Sequence, residues 1–149
     1  MKKRNASQRG KLASQRGKSY EREVALDLFN ELGIKFQRNL EQSRTKGHAD
    51  LIADDPDFPC SLELKRRQTG NGVPLGAWGQ AMASSDTASG KHAAVLYRYD
   101  NRKTQAAVSY ACIVEGETGV ASANHKDYAE LSFERFCKLM REIIAWRAA

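Results

Sequence analysis

Residues 48–67 read HADLIADDPDFPCSLELKRR. In the second half, Leu62 and Leu64 alternate with Glu63 and Lys65. That is the period-two pattern of a strand with one apolar face, and it puts Glu63 and Lys65 side by side on the other. Strict alternation in the first half sets His48, Asp50 and Ile52 on one face and Ala49, Leu51 and Ala53 on the opposite one. The intervening DDPDFP, residues 54–59, is dense in turn formers. A tight connection there pairs the two strands antiparallel and brings Asp50 near Glu63. Asp is poorly suited to strand interiors, so Asp50 among apolar neighbours needs a reason. Two carboxylates held close repel each other unless a proton or a cation sits between them. A hard divalent ion with oxygen ligands, Mg²⁺ or Mn²⁺, meets that need. The Lys65 ammonium can then balance charge, hold a phosphate or orient a water. The plainer alternative is a soluble strand whose carboxylates pair with Lys65 and Arg66.

Outward from this pair the chain divides coarsely. Ser19 can cap a helix running to about Leu32, with Gly33 as its stop. Residues 34–40 form a first strand, ahead of 48–53 and 60–67. QTGNGVPLG is a loop and AWGQAMASS opens a weaker helix. HAAVLYRY, 92–99, and TQAAVSYACIV, 104–114, are two strands around the turn DNRK. Ser132 can cap a last helix, FERFCKLMREIIAW, with Leu131 and Phe136 placed as a hydrophobic staple. The order of helix, three strands, helix, two strands, helix predicts one α/β domain, a mixed sheet of about five strands flanked by helices. A length of 149 residues suits a single modest core.

Charge is unevenly spread. The net charge is +6, yet residues 1–18 hold Lys2, Lys3, Arg4, Arg9, Lys11, Arg16 and Lys18 and no acid, so the remainder is close to neutral. ASQRGKL, 6–12, is followed by ASQRGKS, 13–19. A basic segment containing Gly and Ser reads as a flexible arm, 1–18, that neutralises phosphates, attached to a domain over 19–149. The alternative is a solubilising tail. No apolar run approaches the ~20 residues needed to span a membrane, and the charged N-terminus leads into no apolar segment. Cys60, Cys112 and Cys137 offer neither a disulfide framework nor a CxxC site. Together these predict a cytoplasmic protein.

In the first helix, Val24, Ala25, Leu28, Phe29 and Leu32 make one stripe at ~100° per residue, with Glu21 near its middle and Glu23 nearly opposite. Glu21 thus points where a carboxylate is costly unless it is paired or bound to metal. Otherwise it turns out to solvent and favours the helix dipole.

These residues carry a family resemblance. Asp50, twelve residues, then Glu63-Leu64-Lys65 resembles the PD-(D/E)xK nuclease core, with Ala49 at the place of its loosely kept proline. GKSYERE, 17–23, ahead of a helix, resembles the GxxxERE opening of archaeal-type Holliday junction resolvases and aligns Glu21 with their helical metal-site glutamate. Trp78-Gly79-Gln80-Ala81 followed by AAVLYRYDNR is similar to phage PD-(D/E)xK endonucleases and resolvases. The likeness covers roughly residues 16–102; the C-terminal third matches nothing nameable.

The resemblance implies a restriction-endonuclease-like fold and a site. Asp50 and Glu63 would bind Mg²⁺, with Mn²⁺ able to substitute, and the Leu64 carbonyl would complete that edge. Glu21 would hold a second ion or an ordered water. Lys65 would position the attacking water, and Gln80 would assist. Arg22 and Arg38 would line the DNA backbone, or else form a solvated face; Arg66 and Arg67 would extend the basic rim beside Lys65, and Arg16 and Lys18 would reach DNA from the basic arm. The insertion-like EQSRTKG departs from the resolvases; it places Arg44, Lys46 and His48 near the site and leaves the register of Arg38 open. His48 has the ordinary reading of a strand-edge residue, Asp54, Asp55 and Asp57 of turn residues, and Trp78 of core.

The expected activity is a metal-dependent endodeoxyribonuclease, branch-selective like the resolvases, in a bacterial or phage-infected cytoplasm. An exonuclease or end-processing nuclease on the same core is one alternative, and a non-catalytic DNA-binding protein is another. A resolvase must cut two strands symmetrically, which implies a C₂ homodimer. Part of the apolar surface of the last helix, with Phe136, Leu139, Ile143, Ile144 and Trp146, would then be partner surface, while most of it covers the chain's own sheet.

Overall fold

The structure, a computed structural model, describes residues 5–40 and 49–149. Four helices and six strands follow in the order α1 (Ala6–Leu32), β1 (Phe36–Arg38), β2 (Leu51–Ala53), β3 (Cys60–Arg67), α2 (Ala77–Ser84), β4 (His92–Tyr99), β5 (Gln105–Ser109), α3 (Tyr110–Thr118), β6 (Tyr128–Ser132) and α4 (Phe133–Ala148). The strands form one open sheet in chain order, β1 to β6. Only β3 and β4 run parallel, with α2 as their crossover; every other neighbouring pair is antiparallel. The α/β class expected from the sequence is present, with six strands rather than five.

Both faces of the sheet are covered. Leu62, Leu64, Ala94, Leu96, Ala106 and Val108 pack beneath α1, α3 and α4 in the larger core. Val95, Tyr97, Tyr99 and Ala107 pack under Ala77 and Ala81 of α2 in a smaller one. Glu63 and Lys65, registered with Val95 and Tyr97, therefore face the α2 side.

Three boundaries differ from the sequence reading. First, residues 6–18, expected as a flexible arm, are helical and continuous with the segment expected to begin at Ser19. A reciprocal cap explains the earlier start: Asn5 Oδ1 accepts from Gln8 N at 2.8 Å and Gln8 Oε1 accepts from Asn5 N at 3.1 Å. Lys2, Lys3 and Arg4 lie outside the described residues. The helix stops at Gly33 as expected, in the left-handed region at φ 69° with its N–H on the Phe29 carbonyl. Its buried line is Tyr20, Val24 and Leu28, rotated toward its N-terminal side, so Phe29 is 42% exposed.

Second, the run 104–114 is not one strand. It breaks at Ser109, whose Oγ accepts from Cys112 N at 3.3 Å and caps α3. Third, Tyr128–Ser132 adds an edge strand, β6, whose YAELS carries no β-branched residue to mark it in the sequence. Ser132 does cap α4, accepting from Arg135 N at 3.1 Å. The α4 face with Phe136, Leu139, Met140 and Ile143 is buried against this chain's own core. Trp146 is 48% exposed. All three cysteines are buried and free. Among the described residues no helix is long and apolar enough to cross a membrane.

Candidate active site

The site begins where β2 leaves β3. Their ladder has one registered pair, Leu51 with Leu62, which sets Asp50 opposite Glu63. Asp50 N donates to the Leu62 carbonyl at 2.8 Å. One residue pair further on, the Asp50 side chain replaces the missing strand neighbour: Leu64 N donates to Asp50 Oδ2 at 2.6 Å. Within a strand a residue's N–H and C=O point to the same edge. The Leu64 carbonyl therefore opens toward Asp50, beyond the end of the β2 ladder.

Asp50 and Glu63 are 3% and 5% exposed. Burial, reinforced by the charges of Glu63 and Glu21, pushes the Asp50 carboxyl up to about 7, against the Leu64 N–H and Lys65, which pull it down. Burial also raises Glu63, opposed by Lys65 and by a hydrogen bond with Asp50. Lys65 Nζ stands 3.3 Å from Glu63 Oε1. The expected trio of Asp50, Glu63 and Lys65 is thus assembled on one face of the sheet, at the fork of β2 and β3.

Glu21 reaches the same region but is committed: Arg38 Nε donates to Glu21 Oε2 at 2.6 Å. Its charge is felt at Asp50 and Glu63. Among the described residues no three His, Cys, Asp or Glu side chains converge as a ready metal cluster. The donor chemistry nonetheless suits a hard divalent ion: two carboxylates whose proton affinity burial raises, with the charge of Glu21 adding to both, and a backbone carbonyl open to the same place. The Glu21 oxygen held by Arg38 can join them only by exchanging that partner.

The remaining candidates divide. Gln80 is exposed on α2, whose Ala77 and Ala81 face the sheet. Arg16 is half-buried, and Lys18 and Arg22 are exposed on α1. Arg67 is exposed on the Lys65 face, with Nη1 on the Arg66 carbonyl at 3.0 Å. Arg66 lies on the other face and pairs with Asp100 at 2.9 Å, so it does not extend the rim beside Lys65. Arg44, Lys46 and His48 lie outside the described residues. Trp78 packs on Tyr128 at 4.7 Å and donates from Nε1 to the Lys126 carbonyl at 2.7 Å, a structural placement. Glu23, expected to be solvated, is exposed but pairs with Arg98 at 2.5 Å.

Three residues escaped the sequence reading. Asn39 frames the site: its N donates to the Asp50 carbonyl at 3.0 Å and its Nδ2 to the Ala49 carbonyl at 2.9 Å. Its position beside a turn gave no pattern to follow. Arg98, 5.8 Å over the Tyr20 ring, and Asp100 anchor α1 and β3 to the end of β4. A charged residue in the apolar run AAVLYRY was the available signal for Arg98. Comparison with protein-family models, with curated proteins and with solved structures gave no match.

Proposed function

We propose that the chain is a Mg²⁺-dependent endodeoxyribonuclease of PD-(D/E)xK type, selective for branched DNA. The observation that carries the reading is the buried, facing pair Asp50 and Glu63 at the fork of β2 and β3, with Lys65 at 3.3 Å from Glu63. Asp50, Glu63 and the Leu64 carbonyl would hold the ion. Bound there, it would polarise the phosphate and acidify a water. Lys65 offers a proton-bearing cation beside the scissile phosphate and stabilises the charge that develops on it. Asn39 and the Leu64 N–H keep Asp50 from rotating away. Arg67, Lys18 and Arg22 supply the flanking positive charge.

A second reading is favoured by one observation. Glu21 is satisfied by Arg38, and Glu63 by Lys65, as in a binding module with no chemistry. Incubation with four-way junction, fork and linear duplex DNA, with and without Mg²⁺, separates the two. Metal-dependent cleavage of the junction, lost in Glu63→Gln with binding kept, supports the nuclease. Metal-independent binding without any product supports the module. A circular single-stranded substrate separates endonuclease from exonuclease, and light scattering with a four-way junction tests for the homodimer that symmetric cutting requires.

A further inference from the structure

The first half of α1 is an unusual helix. Tyr20 is its earliest buried residue, so residues 6–19 extend outward without a core to pack on. They contain Arg9, Lys11, Arg16 and Lys18 and no acid, and none of these four has an ion pair among the described residues. Their only apolar side chains are Ala6, Leu12 and Ala13, too few for the apolar face that a membrane-surface helix needs.

The tandem repeat acquires a meaning once it is helical. Seven residues at ~100° each fall only about 20° short of two full turns. Arg16 therefore sits over Arg9 and Lys18 over Lys11, each pair about 10 Å apart along the axis at ~1.5 Å per residue. Arg and Lys within one copy are two residues apart, roughly 200° around the helix. The duplication thus builds two basic stripes on opposite sides, and Arg22 continues the lysine stripe toward the domain. A single phosphate row would need one stripe. Two opposed rows surround a helix in the major groove of B-DNA, which is about 12 Å wide and admits an α-helix.

We propose that residues 6–19 lie as a helix in the major groove of duplex DNA flanking the cut site, Arg9 and Arg16 toward one phosphate wall and Lys11 and Lys18 toward the other. This rests on the DNA reading above. The segment is a marginal helix by itself. Gly10 and Gly17 each weaken it, while a Cβ at either would meet nothing within 4 Å. Polyanion binding is what would hold it.

The test uses the full chain and a labelled 20-base-pair duplex, read by fluorescence anisotropy at fixed salt. Ala13→Pro keeps every charge but breaks the helix, and should weaken binding about tenfold as phosphate contacts are lost. The double variant Gly10→Ala, Gly17→Ala should tighten it a few-fold. Methyl green, which fills the major groove, should compete, and distamycin, which fills the minor groove, should not. An RNA duplex of the same sequence has a deep, narrow major groove and should bind at least about tenfold more weakly. Circular dichroism should show helix lost in Ala13→Pro with the domain's melting temperature unchanged. Ala13→Pro binding DNA like the parent, or equal affinity for the RNA duplex, overturns the groove placement. A parent chain that binds a four-way junction but not this duplex also overturns the groove placement, and one that binds neither overturns the DNA reading beneath it.

Discussion

Asp50 is buried among carboxylates that its sequence neighbours alone do not supply. Its folded-state value of about 7 lies above the ordinary 3.8, so its contribution to stability is present below about pH 4 and lost as pH rises through 7. Asp50→Asn removes that cost while keeping an oxygen for the Leu64 N–H. In EDTA its melting temperature should exceed the parent's by on the order of 5 °C at pH 8 and match it near pH 4, by calorimetry. Added Mg²⁺ should raise the parent's melting temperature at pH 8 and leave the variant's unmoved. No gain at pH 8 would mean the carboxylate is already neutralised by another partner. The two helix glutamates separate the roles of neighbouring acids. Glu21→Gln should lower junction cleavage by at least about tenfold, since it adjoins Asp50 and Arg38, whereas Glu23→Gln loses only an outlying pair with Arg98. Equal losses in the cleavage assay would remove Glu21 from the site.

Among the elements, α3 and α4 are tied by one polar knot. Arg147 donates to both Glu115 oxygens and to the Gly90 carbonyl, and His92 Nε2 lies 3.4 Å from Glu115 Oε1. Burial would raise Glu115, but the Arg147 hydrogen bonds and charge, with His92, hold it below its ordinary value. Arg147→Ala removes the main partner of that carboxylate, and urea unfolding at pH 7 should report a loss of about 1 to 2 kcal/mol. The loss should shrink as pH falls through the carboxylate range and Glu115 protonates. A flat pH response would place the anchor elsewhere. What the sequence disclosed follows from similar local causes. Alternation in SLELK and the turn formers of DDPDFP located β2, β3 and the facing carboxylates, because both are short-range signals. Gly33 and Ser132 marked helix ends by cap chemistry. The division of TQAAVSYACIV at Ser109 was hidden, since a short apolar run fits strand or helix equally until its cap is seen. The pairing of Glu21 with Arg38, and of Arg66 with Asp100, depends on how distant elements cross, which periodicity does not encode.

At the scale of the molecule, the sheet is two antiparallel wings, β1–β2–β3 and β4–β5–β6, joined along β3 and β4. Within the wings the connections between paired strands are shorter, the longest being residues 110–127, which carry α3 between β5 and β6. The join requires residues 68–91 to loop out and back, and the cost of closing that loop precedes the reward of the eight registered pairs from Cys60–His92 to Arg67–Tyr99. The carboxylates belong wholly to the first wing, yet Leu64 beneath them packs in a core that includes Leu96 from the second. Assembly of the join is therefore the step that makes the chain one cooperative unit. Leu96→Ala, in a fully buried position, should slow refolding by on the order of tenfold in stopped-flow measurements, whereas Phe36→Ala at the edge should mainly hasten unfolding. Equal effects on the folding limb would indicate a nucleus spread across both wings. A nascent chain halted after β3 would carry every carboxylate of the site and no surface to brace them, so the site ripens only when the second wing zips on.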